Sequence, residues 1–586
     1  MISSKHDVNR RLFLLGLFFV MGIGVVAIRL VHLQVHLAQD LLIQSQKNYT
    51  RKELIPSLRG NIFDTFGKLL ATNRPVVTLY WKGTGNKGLT QEQKKLLDQL
   101  KEIIVLEEYD EKELSKTEAL SQKMILAKDL NFQNLSKIRE LFPEDENIVI
   151  ETESIRYYPH HELASHLLGY LGYLDIDYEG KAGIERMYEE MLKGTHGRRL
   201  KYINSFGKYL GGQQEQKAAS GHDIYTTLDL SLQQIAEEVF PKELSGVVLL
   251  MDAQNGAIRV FLSHPHFDPN IFLQRLDKET WDSLQSSSRP FLNRIFHACY
   301  PPGSLFKLVT LTAALDRGYI NQWHEIYCRG FSNVGRKFRC HKHEGHGRLN
   351  AAQAIAFSCN VLFYELSRVM DVDVIAPYAY RYGLGKQTNE LFRDAKGLIP
   401  TRAWKKQVKG ESWWLGETLS VSIGQSFLLA TPIQMARMLA SIETGYLVTP
   451  RVVEHVPTTC EILDIKPEIR YFLKDAMKAT IEVGTARLLQ GMKDFKISAK
   501  TSTAQTSKLE NRELGAEHLE HGWLGANFRY KNHRPMTLLV LTEKTGTAHI
   551  ARVIAKSFLK GYRMLMEQRE KLGLQQEAVM QNNQEQ

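Results

Sequence analysis

No extended basic stripe interleaved with aromatics runs along this 586-residue chain, so its net charge of +10 does not mark a nucleic-acid binder. A basic exterior beside an anionic surface is the plainer reading. The pattern of a zinc protease is missing too. His161-Glu162-Leu-Ala-Ser-His166 has one residue too many, and at i, i+5 its histidines do not share a helix face, while His343-Glu-Gly-His346 has one too few. Long apolar runs are scarce. Leu12 to Ile28 carries no charge and is followed by Arg29, which can snorkel; at about 1.5 Å per residue it just reaches across a bilayer core. No A-x-A-like cleavage site follows, which favours an uncleaved signal anchor over a signal peptide. Lys5, Arg10 and Arg11 precede the run, so the positive-inside bias keeps the amino terminus in the cytoplasm and sends the remainder across a single span.

The length exceeds what one hydrophobic core supports. We expect residues 1–33 to form a cytoplasmic stub and anchor, 34–226 a stalk, 227–565 a catalytic domain, and 566–586, rich in Gln, Glu and Asn, a solvated, disordered tail. The stalk alternates strand-like pieces with a charged helical tract around Leu89–Leu141 and offers no catalytic set. In the next domain a helix over Ser231–Phe240, a buried strand over Gly246–Asp252 with a turn at Asn255-Gly256, a strand over Met536–Leu541 and a helix over His549–Met564 are predicted.

Three Ser-x-x-Lys copies occur, at Ser304–Lys307, Ser205–Lys208 and Ser557–Lys560. On a helix, i and i+3 share a face, so a lysine kept neutral by burial can take the serine proton and create a strong nucleophile. Ser304 is set apart by its Pro-Pro-Gly lead-in and by the apolar stretch Leu308–Leu315, which reads as a buried helix. Ser358-Cys359-Asn360 follows, and Lys500-Thr501-Ser502-Thr503 stands late in the chain at the end of a predicted strand.

This order of Ser-x-x-Lys, Ser-x-Asn and Lys-Thr-Ser-Thr resembles the penicillin-recognising serine enzymes. Arg59-Gly-Asn-Ile-Phe-Asp64, Gly67, Leu70-Ala-Thr-Asn73 and Gly183-Ile-Glu-Arg-Met-Tyr188 are similar to stalk motifs of class B penicillin-binding proteins. Pro265-His-Phe-Asp-Pro-Asn270, Asn293-Arg294, Gly345-His-Gly347, Ser422-Ile-Gly-Gln425 and Ala430-Thr-Pro-Ile-Gln434 resemble the elongation type of that class. The resemblance spans about residues 29 to 560 and implies an α+β architecture: an anchor helix, an elongated stalk, and a transpeptidase domain with an antiparallel sheet flanked by helices. It implies that Ser304 attacks the penultimate D-alanine of a peptidoglycan stem peptide with Lys307 as general base. Ser358 would relay a proton to the leaving amine, and Asn360 would hold Lys307 and the substrate amide. Lys500 would add positive potential, Thr501, Ser502 and Thr503 would line the substrate, and the N–H groups of Ser304 and Thr503 would form the oxyanion hole. Ser502 stands where the family most often has glycine, whose missing side chain lets substrate lie close to the strand.

No cofactor is expected for catalysis. Cys328, Cys340, His346 and Cys359 have ligand types suited to a tetrahedral zinc site, and a zinc ion near this position resembles a feature of some elongation-type members. A Cys328–Cys340 disulfide or free thiols are the other readings. Implied partners are stem peptides, β-lactams, the cytoplasmic membrane and a separate glycosyltransferase of the shape, elongation, division and sporulation class, because no such domain is visible in residues 34–226. A β-lactam sensor usually carries extra spans and a zinc-protease motif, both missing here; a catalytically silent scaffold is the other rival, and the intact motif residues argue against it.

Overall fold

The computed structural model describes residues 3–42, 50–106, 110–174, 177–203, 209–273, 278–285, 288–505 and 519–584. Helix α1 (Ser3–Val31) carries the apolar run, and Phe13, Phe18 and Phe19 on it are exposed. Its segment is the one helix among the described residues long and apolar enough to cross a membrane. The rest is mixed α+β, as expected.

Two compact units form, and they do not follow a cut at residue 226. One unit takes residues 1–59, 74–155 and 193–221; the other takes 60–73, 156–192 and 222–586. The reason is a shared core: Ile62, Leu70, Tyr158, Leu167 and Ile184 join the same buried cluster as Leu305 and Leu308. Arg156 strengthens this link, donating to the Glu185 carboxylate at 2.8 Å and to the Gly60 carbonyl at 2.7 Å with both side chains fully buried.

In the first unit, strands Thr50–Ile55, Gly197–Ile203 and Tyr209–Gln216 pair antiparallel. The expected helical tract is three helices, Gln91–Ile103, Glu111–Ala119 and Phe132–Leu141, with strand Lys123–Ala127 between the last two. Leu79, Trp81, Leu97, Leu100, Leu126 and Ile138 form its core.

The second unit is organised on an antiparallel five-stranded sheet: β1 (Gly246–Asp252), β2 (Ile258–His264), β3 (Phe495–Ala504), β4 (His521–Tyr530) and β5 (Met536–Thr542), in the order β2-β1-β5-β4-β3. Every residue of β1 is buried because both faces are covered. Val248 and Leu250 pack with Leu232 of α2 (Leu230–Val239) and Phe558, whereas Val247, Leu249 and Met251 join the cluster that holds α3 (Lys307–Asp316). Period-two alternation thus sends each strand into two cores. Helix α4 (Val361–Val369) follows the Ser358 turn.

The last helix, α5, spans His549–Gln584 and runs through the segment expected to be a disordered tail. Met566 is buried, Arg569 donates to both oxygens of Asp229 at 2.6 and 2.8 Å, and Lys531 donates to Glu570 at 2.6 Å. Composition showed few apolar residues there; it did not show that the charged ones have fixed partners.

Candidate active site

Ser304 sits in a single 3₁₀ turn, Gly303–Leu305, and Lys307 opens α3 directly after it. The Pro-Pro-Gly lead-in is pinned from two sides. Tyr300 bridges Ala430, and the Gly303 N–H donates to the Gly424 carbonyl at 2.9 Å. Gly303 has a φ of +53°, open to glycine at no steric cost. Helix α3 is buried from Lys307 through Ala314, as its apolar sequence predicts.

The three motifs converge on one hydroxyl. Ser358 Oγ lies 2.9 Å from Ser304 Oγ and accepts from Lys500 Nζ at 3.0 Å and Lys307 Nζ at 3.3 Å. Lys307 Nζ also donates to the Ser358 carbonyl at 2.8 Å and to Asn360 Oδ1 at 2.7 Å. The expected direct contact of Lys307 with Ser304 is not among the hydrogen bonds; Ser358 links the two. Ser358 itself holds a left-handed φ of +53°, a conformation that costs a non-glycine residue about 1 kcal/mol or more and that clusters at functional sites. The Cys359 N–H to Ala354 carbonyl bond, 2.8 Å, helps to hold that turn.

Burial governs the lysines. It pushes the Lys307 amine down to about 8, against the opposing influence of the Cys359 and Cys340 sulfurs. Lys500 falls well below the ordinary lysine range through burial and through the positive charge of Lys307. An amine lowered to about 8 is neutral in part of the population near physiological pH, and that part can accept a proton.

On β3, alternation places Lys500 and Ser502 on one face and Thr501 and Thr503 on the other. Thr501 Oγ1 lies 2.6 Å from Thr485 Oγ1, and Thr503 is exposed. Ser502 is buried, and its hydroxyl donates to the Pro302 carbonyl at 2.9 Å. A Cβ at Gly303 would lie 2.3 Å from that Ser502 hydroxyl, so serine on the strand and glycine before the nucleophile fit as a pair.

Three supports escaped sequence reasoning. Gln425 donates to the Thr503 carbonyl at 3.5 Å and accepts from the Gln505 N–H at 3.3 Å; the Ser422–Gln425 motif was visible, its role was not. Thr485 beside Thr501 had no motif to signal it. Glu543, at the end of β5, accepts from Tyr300 at 2.5 Å and from Arg294 at 2.8 Å, bracing the segment before Ser304. Of the other Ser-x-x-Lys copies, Ser557 and Lys560 lie on α5 with Lys560 exposed, and Ser205–Lys208 lies outside the described residues.

Cys328, Cys340, His346 and Cys359 come together with their ligand atoms within 4.8 Å of one another. All five cysteines are free, so the Cys328–Cys340 disulfide is not formed. A hydrogen bond from Cys359, reinforced by His341 and His346, pushes the Cys340 thiol down, and the same bond with burial pushes Cys359 up. The Asn360 N–H points at Cys340 Sγ, 3.4 Å away, so the cluster abuts the Ser-x-Asn turn.

Beside a buried sheet, Ser304, Lys307 and Lys500 gather on the Ser358 hydroxyl and Asn360 holds Lys307, and similarity to known proteins says which family carries these motifs. Residues 246–560 match the penicillin binding protein transpeptidase domain and residues 54–226 the penicillin-binding protein dimerisation domain. The chain belongs to the penicillin-binding proteins, and within them to class B of the elongation type. It is 29% identical to the peptidoglycan D,D-transpeptidase MrdA of Acinetobacter baumannii, over 88% of this chain and 82% of that one. Its fold is similar to that of the Helicobacter pylori penicillin-binding protein PBP2 in complex with MreC, with a TM-score of 0.75, 26% identity, and 88% and 99% of the two chains covered. A chain in a peptidoglycan synthase complex that coordinates polymerisation and cross-linking is similar as well, with a TM-score of 0.71, 28% identity, and 94% and 98% covered.

Proposed function

We propose that this chain is a serine-type peptidoglycan D,D-transpeptidase that cross-links stem peptides through an acyl-enzyme on Ser304. The observation that carries the reading is the Ser358 hydroxyl, which touches Ser304 and Lys307 from one distant part of the chain and Lys500 from another. A neutral Lys307 accepts the Ser304 proton through Ser358 as Ser304 Oγ bonds to the carbonyl carbon of the penultimate D-alanine. The N–H groups of Ser304 and Thr503 receive the oxyanion. The proton returns through Ser358 to the departing nitrogen, the C–N bond breaks, and free D-alanine leaves. An amine from a neighbouring stem then attacks the ester, the same relay takes its proton, and Ser304 regains a hydrogen as the new amide forms. A β-lactam follows the first half and stalls because its leaving nitrogen stays attached.

The hydroxyls of Thr501 and Thr503, on one face of β3, suit the substrate's terminal carboxylate, with Thr501 oriented by Thr485. The three cysteines and His346 fit a structural zinc ion, whose ligand set and compactness they match. Bound there, it would fix the Ser358–Asn360 turn; one zinc per chain by elemental analysis of untagged protein is the expected result. In this reading α1 anchors the chain in the cytoplasmic membrane with the catalytic unit outside, and a separate glycosyltransferase supplies the glycan.

The test is release of D-alanine from a synthetic pentapeptide ending in D-Ala-D-Ala by the full chain in detergent. Turnover by wild type and none by Ser304→Ala is expected; turnover that persists in Ser304→Ala contradicts the assignment.

A further inference from the structure

Beside the site stands an unusually basic hairpin. Between Arg329 and Arg348 the chain carries six Lys or Arg residues and a single acid, Glu344. Strands Phe331–Val334 and Arg336–Arg339 pair there with Phe331 opposite Arg339 and Asn333 opposite Lys337. Residues opposite each other share a face, so the hairpin has two distinct sides. On the inner side Ser332 donates to Glu365 at 2.7 Å, and Phe338 packs 5.6 Å from the Tyr364 ring. On the outer side lie Phe331, Asn333, Lys337 and Arg339. Both cations are exposed, and neither has an ion-pair partner among the described residues; Lys337 instead rests 4.9 Å over the Phe331 ring.

The base of this hairpin is tied to the reaction centre. Asn360, which accepts from Lys307 at 2.7 Å, donates through Nδ2 to the Arg339 carbonyl at 3.4 Å, and the Tyr364 hydroxyl donates to the same carbonyl at 3.4 Å. The Arg339 backbone therefore lies two hydrogen bonds beyond the lysine, and its side chain is exposed on the outer face. Lys337 and Arg339, two residues apart on one strand, repeat at about 7 Å, the spacing of alternate side chains on an extended peptide. Two hydrated cations on one face attract a multiply charged anion and leave that face open to it.

We propose that the outer face of this hairpin, through Lys337 and Arg339, binds side-chain carboxylates of the extended, acidic stem peptide whose end is delivered to Ser304. The proposal rests on the transpeptidase reading above. It assigns substrate selection to residues outside the three motifs: the motifs handle the D-Ala-D-Ala end, and the hairpin reads acidic residues further back.

The experiment compares wild type with Lys337→Glu/Arg339→Glu, as full chains in detergent, on two synthetic pentapeptides ending in D-Ala-D-Ala. One has free side-chain carboxylates and the other has them amidated; fluorescent penicillin acylation is measured in parallel. The expected result is a drop of roughly tenfold in kcat/KM for the acidic peptide, carried by KM and reduced by added salt, with a much smaller change for the amidated one. Equal losses on both peptides, or no loss on either, overturn the proposal, because the cations then serve something other than peptide carboxylates. If penicillin acylation falls in step, the milder Lys337→Gln/Arg339→Gln must reproduce the selective loss, and its failure to do so also overturns the proposal. A wild type inert toward penicillin and both peptides removes the transpeptidase reading itself, and the hairpin's role with it.

Discussion

Ser304–Lys307 and Ser557–Lys560 are the same motif in two surroundings, and the copy that meets the same-face criterion better is the one without a site. Ser557 and Lys560 lie within the continuous helix α5, with Lys560 in solvent. Ser304 and Lys307 straddle the junction of a 3₁₀ turn and α3, with no direct hydrogen bond between them, yet both reach Ser358. What sets the first copy apart is burial and a third residue, not the spacing of two. Lys307 is lowered to about 8 by burial, whereas Lys560 has water around it.

The sharpest way to break this contrast is by substitution at the two serines. Ser304→Ala should abolish covalent uptake of fluorescent penicillin, a loss of about a thousandfold or more, while Ser557→Ala retains it. Labelling at saturating probe, read on a gel, decides between them. Next in size is the relay. Ser358→Ala removes the shared hydroxyl and should slow acylation by roughly a hundredfold to ten-thousandfold, the range for a lost proton-transfer group, with the melting temperature checked in parallel.

The pH dependence refines the account of Lys307. Acylation should rise with pH and level off above about 8, as the amine loses its proton and becomes a base. Stability should follow with a definite sign. Between about 8 and 10.5 the unfolded chain keeps the Lys307 proton that the folded chain has released, so unfolding costs more as pH rises across that window. Below it both states are protonated, and the folded state bears the burial of the charge. Denaturant titrations at several pH values, wild type against Lys307→Met, isolate this contribution; a difference independent of pH would contradict it.

The smallest effect concerns the strand. Ser502→Ala removes the hydrogen bond to Pro302 that holds β3 against the nucleophile's turn, worth about 1 kcal/mol, so acylation should fall about fivefold. Pre-steady-state labelling rates measure it. An unchanged rate would mean that the bond supports folding alone.

Much of this was legible in the sequence, and the limits have physical causes. The three motifs, the buried β1 and the helix after Ser304 were readable because apolar periodicity and short-range chemistry are local properties. The gathering of Cys328, Cys340, His346 and Cys359 could be named from ligand type, though only the fold puts their atoms within 4.8 Å. Thr485 and Glu543 act through partners 16 and 243 residues away and leave no local trace, and Gln425 stands in a visible motif whose partner, 78 residues away, the motif does not name. Residues 60–73 and 156–192 pack into the catalytic core from a segment whose pattern reads as stalk, a long-range packing that local pattern does not show. The hydrogen bond of Ser502 to Pro302 spans 200 residues and had no local signal, although strand parity counted from Lys500 gives its buried face.

The most direct test of the central claim is peptide mapping of the full chain after exposure to a β-lactam. The account predicts a single adduct, on the proteolytic peptide that contains Ser304. An adduct on the peptide containing Ser557, or on any peptide lacking Ser304, would contradict it.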